Sequence, residues 1–354
     1  MIAISTYHRS PLRHLAQMLG LSIALAAPAQ ACWEAPQPRT IEEMAHVAEN
    51  QGKRSSQKQA TRAAPGLLAL SDGHLRTAYG AGVLVGWGET GKRPEFSTVT
   101  AVGLSALVAP LAFLGEEQDR KIADIFSCGA GSVQDMAERA AGYLDPATLE
   151  KIARKHEAGG RLLVSLPGSA ARRESVWELG AIAASRHPQA QQSIRSILLA
   201  AGDLTTAIDP ATVPVVSGML TERNPTFREI GAGERFLAVQ NIRRPHAATY
   251  LIHNGVLFPD EGETYMASRD GAMPLLPSLR ETPLVVPAYD FFVIAQDGGT
   301  AVRIASPRPH LSIQPASEFD PAFIRALFTD AYRQARMGRE WRRTFPDRER
   351  NYGP

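Results

Sequence analysis

Ser105 is the residue with the best-placed hydroxyl. It follows Phe96-Ser-Thr-Val-Thr-Ala-Val102, a run rich in β-branched residues that reads as a buried strand, and stands two residues after Gly103. A strand that turns sharply into a helix can present a serine to an ester carbonyl. The usual spacing is G-x-S-x-G, because the serine sits in a strained turn and its neighbours two before and two after must be small. Gly103-Leu-Ser-Ala-Leu107 has the leading glycine, but Leu107 stands where the second belongs. Ser105 can equally be a small residue packing helix against strand, since that turn has little room for bulk. A nucleophile also needs a base, and two Asp-Gly turns offer one, Asp270-Gly-Ala272 and Asp297-Gly-Gly299. Asp297 lies between Phe291-Phe-Val-Ile-Ala295 and Thr300-Ala-Val-Arg-Ile304 and reads as a hairpin turn. Asp270, in a Gly- and Pro-bearing loop, is the candidate partner of Ser105, attacking ester and accepting proton respectively.

The elements that must position these groups run from Leu67 to Pro110. Leu67-Leu-Ala-Leu70 is a short strand ending in the turn Ser71-Asp-Gly-His74, and Ala78-Tyr-Gly-Ala-Gly-Val-Leu-Val-Gly-Trp87 is a helix whose small residues let it lie close to a sheet. The strand from Phe96 follows, and then Ala106 to Leu114 reads as helical, with Pro110 the local objection.

This block resembles the patatin-like phospholipase family. The resemblance rests on Leu68-Ala-Leu-Ser71, Arg76, Ala78-Tyr-Gly-Ala-Gly-Val-Leu84, Gly86-Trp87, Arg93-Pro-Glu-Phe96, Val99-Thr100, Ala106-Leu107, Ala109-Pro110 and Phe113-Leu-Gly115, without a gap. Val176-Trp-Glu-Leu-Gly-Ala-Ile-Ala-Ala-Ser185 is similar to a second family stretch. The resemblance implies a patatin-like three-layer α/β fold, with a central mainly parallel sheet and helices on both faces. It also implies lipid acyl-ester hydrolysis by a serine–aspartate dyad, an oxyanion turn at Gly73, His74 and Leu75, and no cofactor.

The departures fall on the chemistry. In the ungapped register Ala101, Gly103 and Ser105 occupy the family's Gly, Ser and Gly, so the nucleophile position holds Gly103. The base position falls in Phe227-Arg-Glu-Ile-Gly-Ala-Gly233, where Gly231 replaces the aspartate and Glu229 is two residues away. Ser71-Asp-Gly-His-Leu-Arg-Thr77 stands for S-G-G-G-x-R-G, and a carboxylate at Asp72 beside a developing oxyanion would oppose catalysis. The loop Ala201-Gly-Asp-Leu-Thr-Thr-Ala-Ile-Asp-Pro210 also departs from the family's acyl-site loop. Two functions follow. One is a pseudoenzyme that binds a lipid or fatty-acyl ligand or a protein partner, with possible contact to a membrane surface; the other is a working hydrolase using Ser105 and Asp270.

The rest of the chain frames this domain. With 354 residues, 44% hydrophobic and a formal net charge of +2, it can bury a large core and lacks the basic stripe of a nucleic-acid binder. Arg9 and Arg13, the apolar run Met18 to Ala27, and Ala29-Gln-Ala31 read as an export signal over 1–31, which places the protein in the periplasm or cell envelope. Lipidation at Cys32 is the lesser reading, because no large apolar residue stands three before it. Cys32 and Cys128 are the two cysteines and can pair or stay apart; no metal-ligand spacing of His or Cys occurs. Residues 32–64 read as an irregular lead-in, 65–335 as the domain and 336–354 as a frayed basic tail. Within the domain, Asp145 and Asp320 are expected as helix N-caps, and Leu251 to Leu257 as a hairpin or strand pair.

Overall fold

The computed structural model describes residues 66–127, 129–166, 175–202, 219–220, 248–257, 301–308, 315–317 and 319–343. Among the described residues seven strands form one sheet: β1 (Gly66–Leu70), β2 (Phe96–Val102), β3 (Arg161–Leu166), β4 (Ser175–Glu178), β5 (Met219–Leu220), β6 (Ala248–Ile252) and β7 (Ala301–Ala305). Their order is β5-β4-β3-β2-β1-β6-β7. β3, β2, β1, β6 and β7 pair in parallel, and β4 alone is reversed, pairing antiparallel with β3 and with the short edge strand β5. β1 is buried at every residue, as a strand with parallel neighbours on both sides should be. This is an α/β architecture with a mainly parallel sheet.

Eight helices accompany it among the described residues: α1 (Thr77–Glu89), α2 (Ala109–Leu114), α3 (Asp119–Ser127), α4 (Val133–Gly142), α5 (Pro146–Glu157), α6 (Leu179–Ala184), α7 (Ala190–Gly202) and α8 (Pro321–Arg336). α1 is buried from Thr77 to Gly88, which explains why it is apolar all round rather than striped. It packs most extensively on α8. A Cβ at Gly82 or Gly86 would collide with the backbone carbonyl of Phe328 or Tyr332, so these two glycines set how closely the helices approach.

Local chemistry accounts for the helix ends. Asp145 accepts the Thr148 N–H at 2.7 Å, and Asp320 Oδ1 accepts those of Ala322 and Phe323 at 2.9 and 3.0 Å, so both expected caps are in place. Pro146 and Pro321 each open their helix, where a missing N–H costs nothing.

Three expectations change. The helix read from Ala106 begins at Ala109 after a 3₁₀ turn over Gly103–Leu107, and Pro110 lies in its first turn, which removes the objection to it. The segment expected to be a hairpin or strand pair holds the end of a single strand, β6, which pairs in parallel with β1 on one side and β7 on the other; Asn254-Gly255 follows its end. The tail does not fray at 336. Arg342 and Ile304 exchange backbone hydrogen bonds of 2.7 and 2.8 Å, and Trp341 packs on Trp87 and Tyr250 with ring centroids 4.6 and 5.2 Å apart. Residues 1–65, Cys128 and 344–354 lie outside the described residues, and with them the export signal, the lead-in and both cysteines.

Candidate functional site

The parallel register brings three strand ends together. Leu70 of β1 pairs with Ala101 of β2 and with Ile252 of β6, so Ser71, Val102-Gly103 and His253-Asn254 leave the sheet side by side. Connections depart in opposite directions on the two sides of β1, and in such sheets the crevice at that reversal is where ligands bind.

Gly103 is the apex of the turn after β2. Its φ is +55°, in the left-handed region that costs a residue with a side chain about 1–3 kcal/mol. The sharp strand-to-turn geometry anticipated from the sequence is therefore present, with hydrogen where a side chain would begin. A Cβ built there would lie 2.5 Å from Asp72 Oδ1 and collide with the rest of that carboxyl group. The space above the apex is filled by Asp72.

Asp72 arrives from the turn after β1. Its Oδ1 accepts the N–H of Gly73 at 2.7 Å, that of His74 at 3.2 Å and, at a long 3.4 Å, that of Leu104 from the neighbouring elbow. The turn is held tightly: His74 has φ +50°, and a Cβ on Gly73 would collide with Asn254. Leu75, the third residue of the expected oxyanion turn, is buried in the core. Three backbone dipoles thus converge on a carboxylate of the chain itself.

Ser105 points elsewhere. It is 1% exposed, and its Oγ donates to the Ser71 carbonyl at 2.7 Å while accepting from Asn254 Nδ2 at 3.1 Å. Asn254 is fully buried and ties the three strand ends together. Its Nδ2 donates to Ser71 O at 2.6 Å, its N–H donates to Ser71 Oγ at 2.9 Å, and its Oδ1 accepts from the Gly80 N–H of α1 at 3.0 Å. This polar network links the ends of β1, β2 and β6 to α1. With its proton committed to a carbonyl, Ser105 acts here as a latch between β1 and β2.

Asn254 was not singled out in the sequence. The one local signal that points to it is the Asn-Gly pair directly after the apolar run of β6. Asp270, Gly231, Glu229 and Asp297 lie outside the described residues. No group of three or more His, Cys, Asp or Glu able to hold a metal ion occurs among the described residues, and no described helix is long and apolar enough to cross a membrane. Comparison with protein-family models, curated proteins and solved structures finds no match.

Proposed function

We propose that this chain is a patatin-like protein of the cell envelope in which the elbow that would attack an acyl ester has fallen silent, leaving a lipid- or fatty-acyl-binding pseudoenzyme. The observation that carries the silence is Gly103: the apex residue has the left-handed φ of a strained elbow and no hydroxyl. Two further features support it. The N–H groups that would stabilise an oxyanion face the Asp72 carboxylate, and the nearest serine hydroxyl, that of Ser105, is buried and bonded to a backbone carbonyl. Negative charge in that position repels a developing oxyanion instead of stabilising it. The ligand class comes from the resemblance of the block Leu67–Pro110, and the envelope location from the export signal.

Loss of the serine in a comparable hydrolase lowers turnover on the order of 10⁶-fold. Purified protein should therefore resist labelling by a serine-reactive fluorophosphonate and leave short p-nitrophenyl esters intact, and organic extracts of it should contain co-purified lipid. Labelling that disappears in Ser105→Ala would overturn the silence. Extracts without lipid would overturn the ligand class.

A further inference from the structure

We infer that the Asp72 carboxylate is a built-in occupant of the elbow, an autoinhibitory contact that takes the place of both the missing apex side chain and an incoming acyl oxygen. Two separate loops support this. From its own turn Asp72 accepts the N–H groups of Gly73 and His74 at 2.7 and 3.2 Å; across the sheet it reaches the Leu104 N–H at 3.4 Å, beside the apex. The contact with the second loop is what distinguishes an occupant from an ordinary turn. A local cap satisfies amides on its own loop, whereas this carboxylate also fills the volume into which a Cβ at position 103 would project.

Asp72 and any side chain at 103 are therefore mutually exclusive. Replacing Gly103 by serine alone pushes the new Cβ into a carboxylate and drives Asp72 off its amides. Replacing Asp72 by glycine alone leaves three N–H groups without their acceptor and an apex without a nucleophile. Only the two changes together supply both a hydroxyl at the apex and open amides beside it. While Asp72 is seated, a ligand's carbonyl or carboxylate oxygen is kept from those amides, and an acyl ligand must bind with its polar end elsewhere or displace Asp72.

Although the meaning of this contact for an elbow rests on the patatin-like reading, the contact itself is tested without lipid. Thermal unfolding of Gly103→Ser, Asp72→Gly and the double variant forms a cycle. The expected result is that Gly103→Ser lowers Tm in the parent by at least about 3 °C more than it does in Asp72→Gly. Equal losses in the two backgrounds would overturn the proposal, because the groups would then not share the space. Should Gly103→Ser fail to fold, amide exchange of Asp72→Gly decides alone. Faster exchange at Leu104 as well as at Gly73 and His74 is expected; an unchanged Leu104 amide would confine Asp72 to its own turn and overturn the inference. Lipid-free extracts with a non-additive cycle would remove the ligand class and leave the contact standing.

Discussion

At the scale of single residues, the chemistry of this chain turns on where two hydroxyls and one carboxylate are spent. Ser105 gives its proton to the Ser71 carbonyl, and Asn254 supplies it with a second bond. Ser105→Ala should therefore lower stability by about 1–2 kcal/mol through the lost hydrogen bonds, with no change in reactivity toward esters. Denaturant unfolding checks the first and a p-nitrophenyl ester assay the second. Asn254→Ala should be more damaging, about 3 kcal/mol or above, because it removes one of the two donors to the buried Ser71 O, the bond to Ser105 Oγ and the acceptor of the Gly80 N–H, and leaves a void between strand ends. An Asn254→Ala loss no larger than that of Ser105→Ala would mean that the network is not centred on the amide. The same residue shows what the sequence could and could not reveal. The family resemblance, counted without a gap, put Gly103 at the turn after β2, and Gly103 is the residue with the left-handed φ there. The role of Asn254 depends on residues 183 and 149 positions away, and no local pattern encodes such a pairing.

At the scale of elements, periodicity and capping residues located the parts well, while pairing partners stayed hidden. β1, α1 and β2 follow from apolar runs bounded by turn residues, and the Asp145 and Asp320 caps from the carboxylate standing just before a proline. β6 was misread because a short apolar run is the same whether its neighbour is the next strand or one far along the chain. Only the sheet order decides that. The close contact of α1 with α8 was half legible: its small residues were expected to let it approach a sheet, which holds for Gly80 against Ile252, whereas Gly82 and Gly86 meet α8. That contact gives a sharp expectation. Alanine is a better helix former than glycine by about 1 kcal/mol, so on propensity alone Gly86→Ala would stabilise α1. Its Cβ, however, would collide with the carbonyl oxygen and backbone carbon of Tyr332, which cannot swing aside as a side chain could. Overpacking of this kind costs about 1–3 kcal/mol, and the net effect expected is destabilisation. A Gly86→Ala protein with a raised Tm would show that the helices can separate freely.

At the scale of the whole domain, the segment after α8 returns to the sheet and carries a titrating group inside with it. Glu340 is 6% exposed, and neither carboxylate oxygen has a hydrogen-bond partner among the described residues. Burial disfavours its charged form and pushes the carboxyl up from 4.5 to about 8, outweighing the downward pulls of the nearby Glu340 backbone and Trp341 indole N–H groups and, weakest, of the Lys92 charge. Its neighbours Trp341 and Arg342 hold it there, the first in the aromatic group with Trp87 and Tyr250 and the second through its backbone bonds to Ile304. Because the folded-state pKa is raised, the native protein keeps the proton across a range in which the unfolded chain has released it. Stability is then fullest below the unfolded value and declines as pH rises toward about 8, the reverse of the usual ion-paired carboxylate. The loss over that window can reach about 4 kcal/mol. In Glu340→Gln, which cannot ionise, the decline in Tm between about pH 5 and pH 8 should flatten, and the variant should be the more stable protein at the upper end. An unaltered slope in that variant would show that the carboxylate finds solvent or a counter-charge on ionising, and that docking of the last described segment is insensitive to pH.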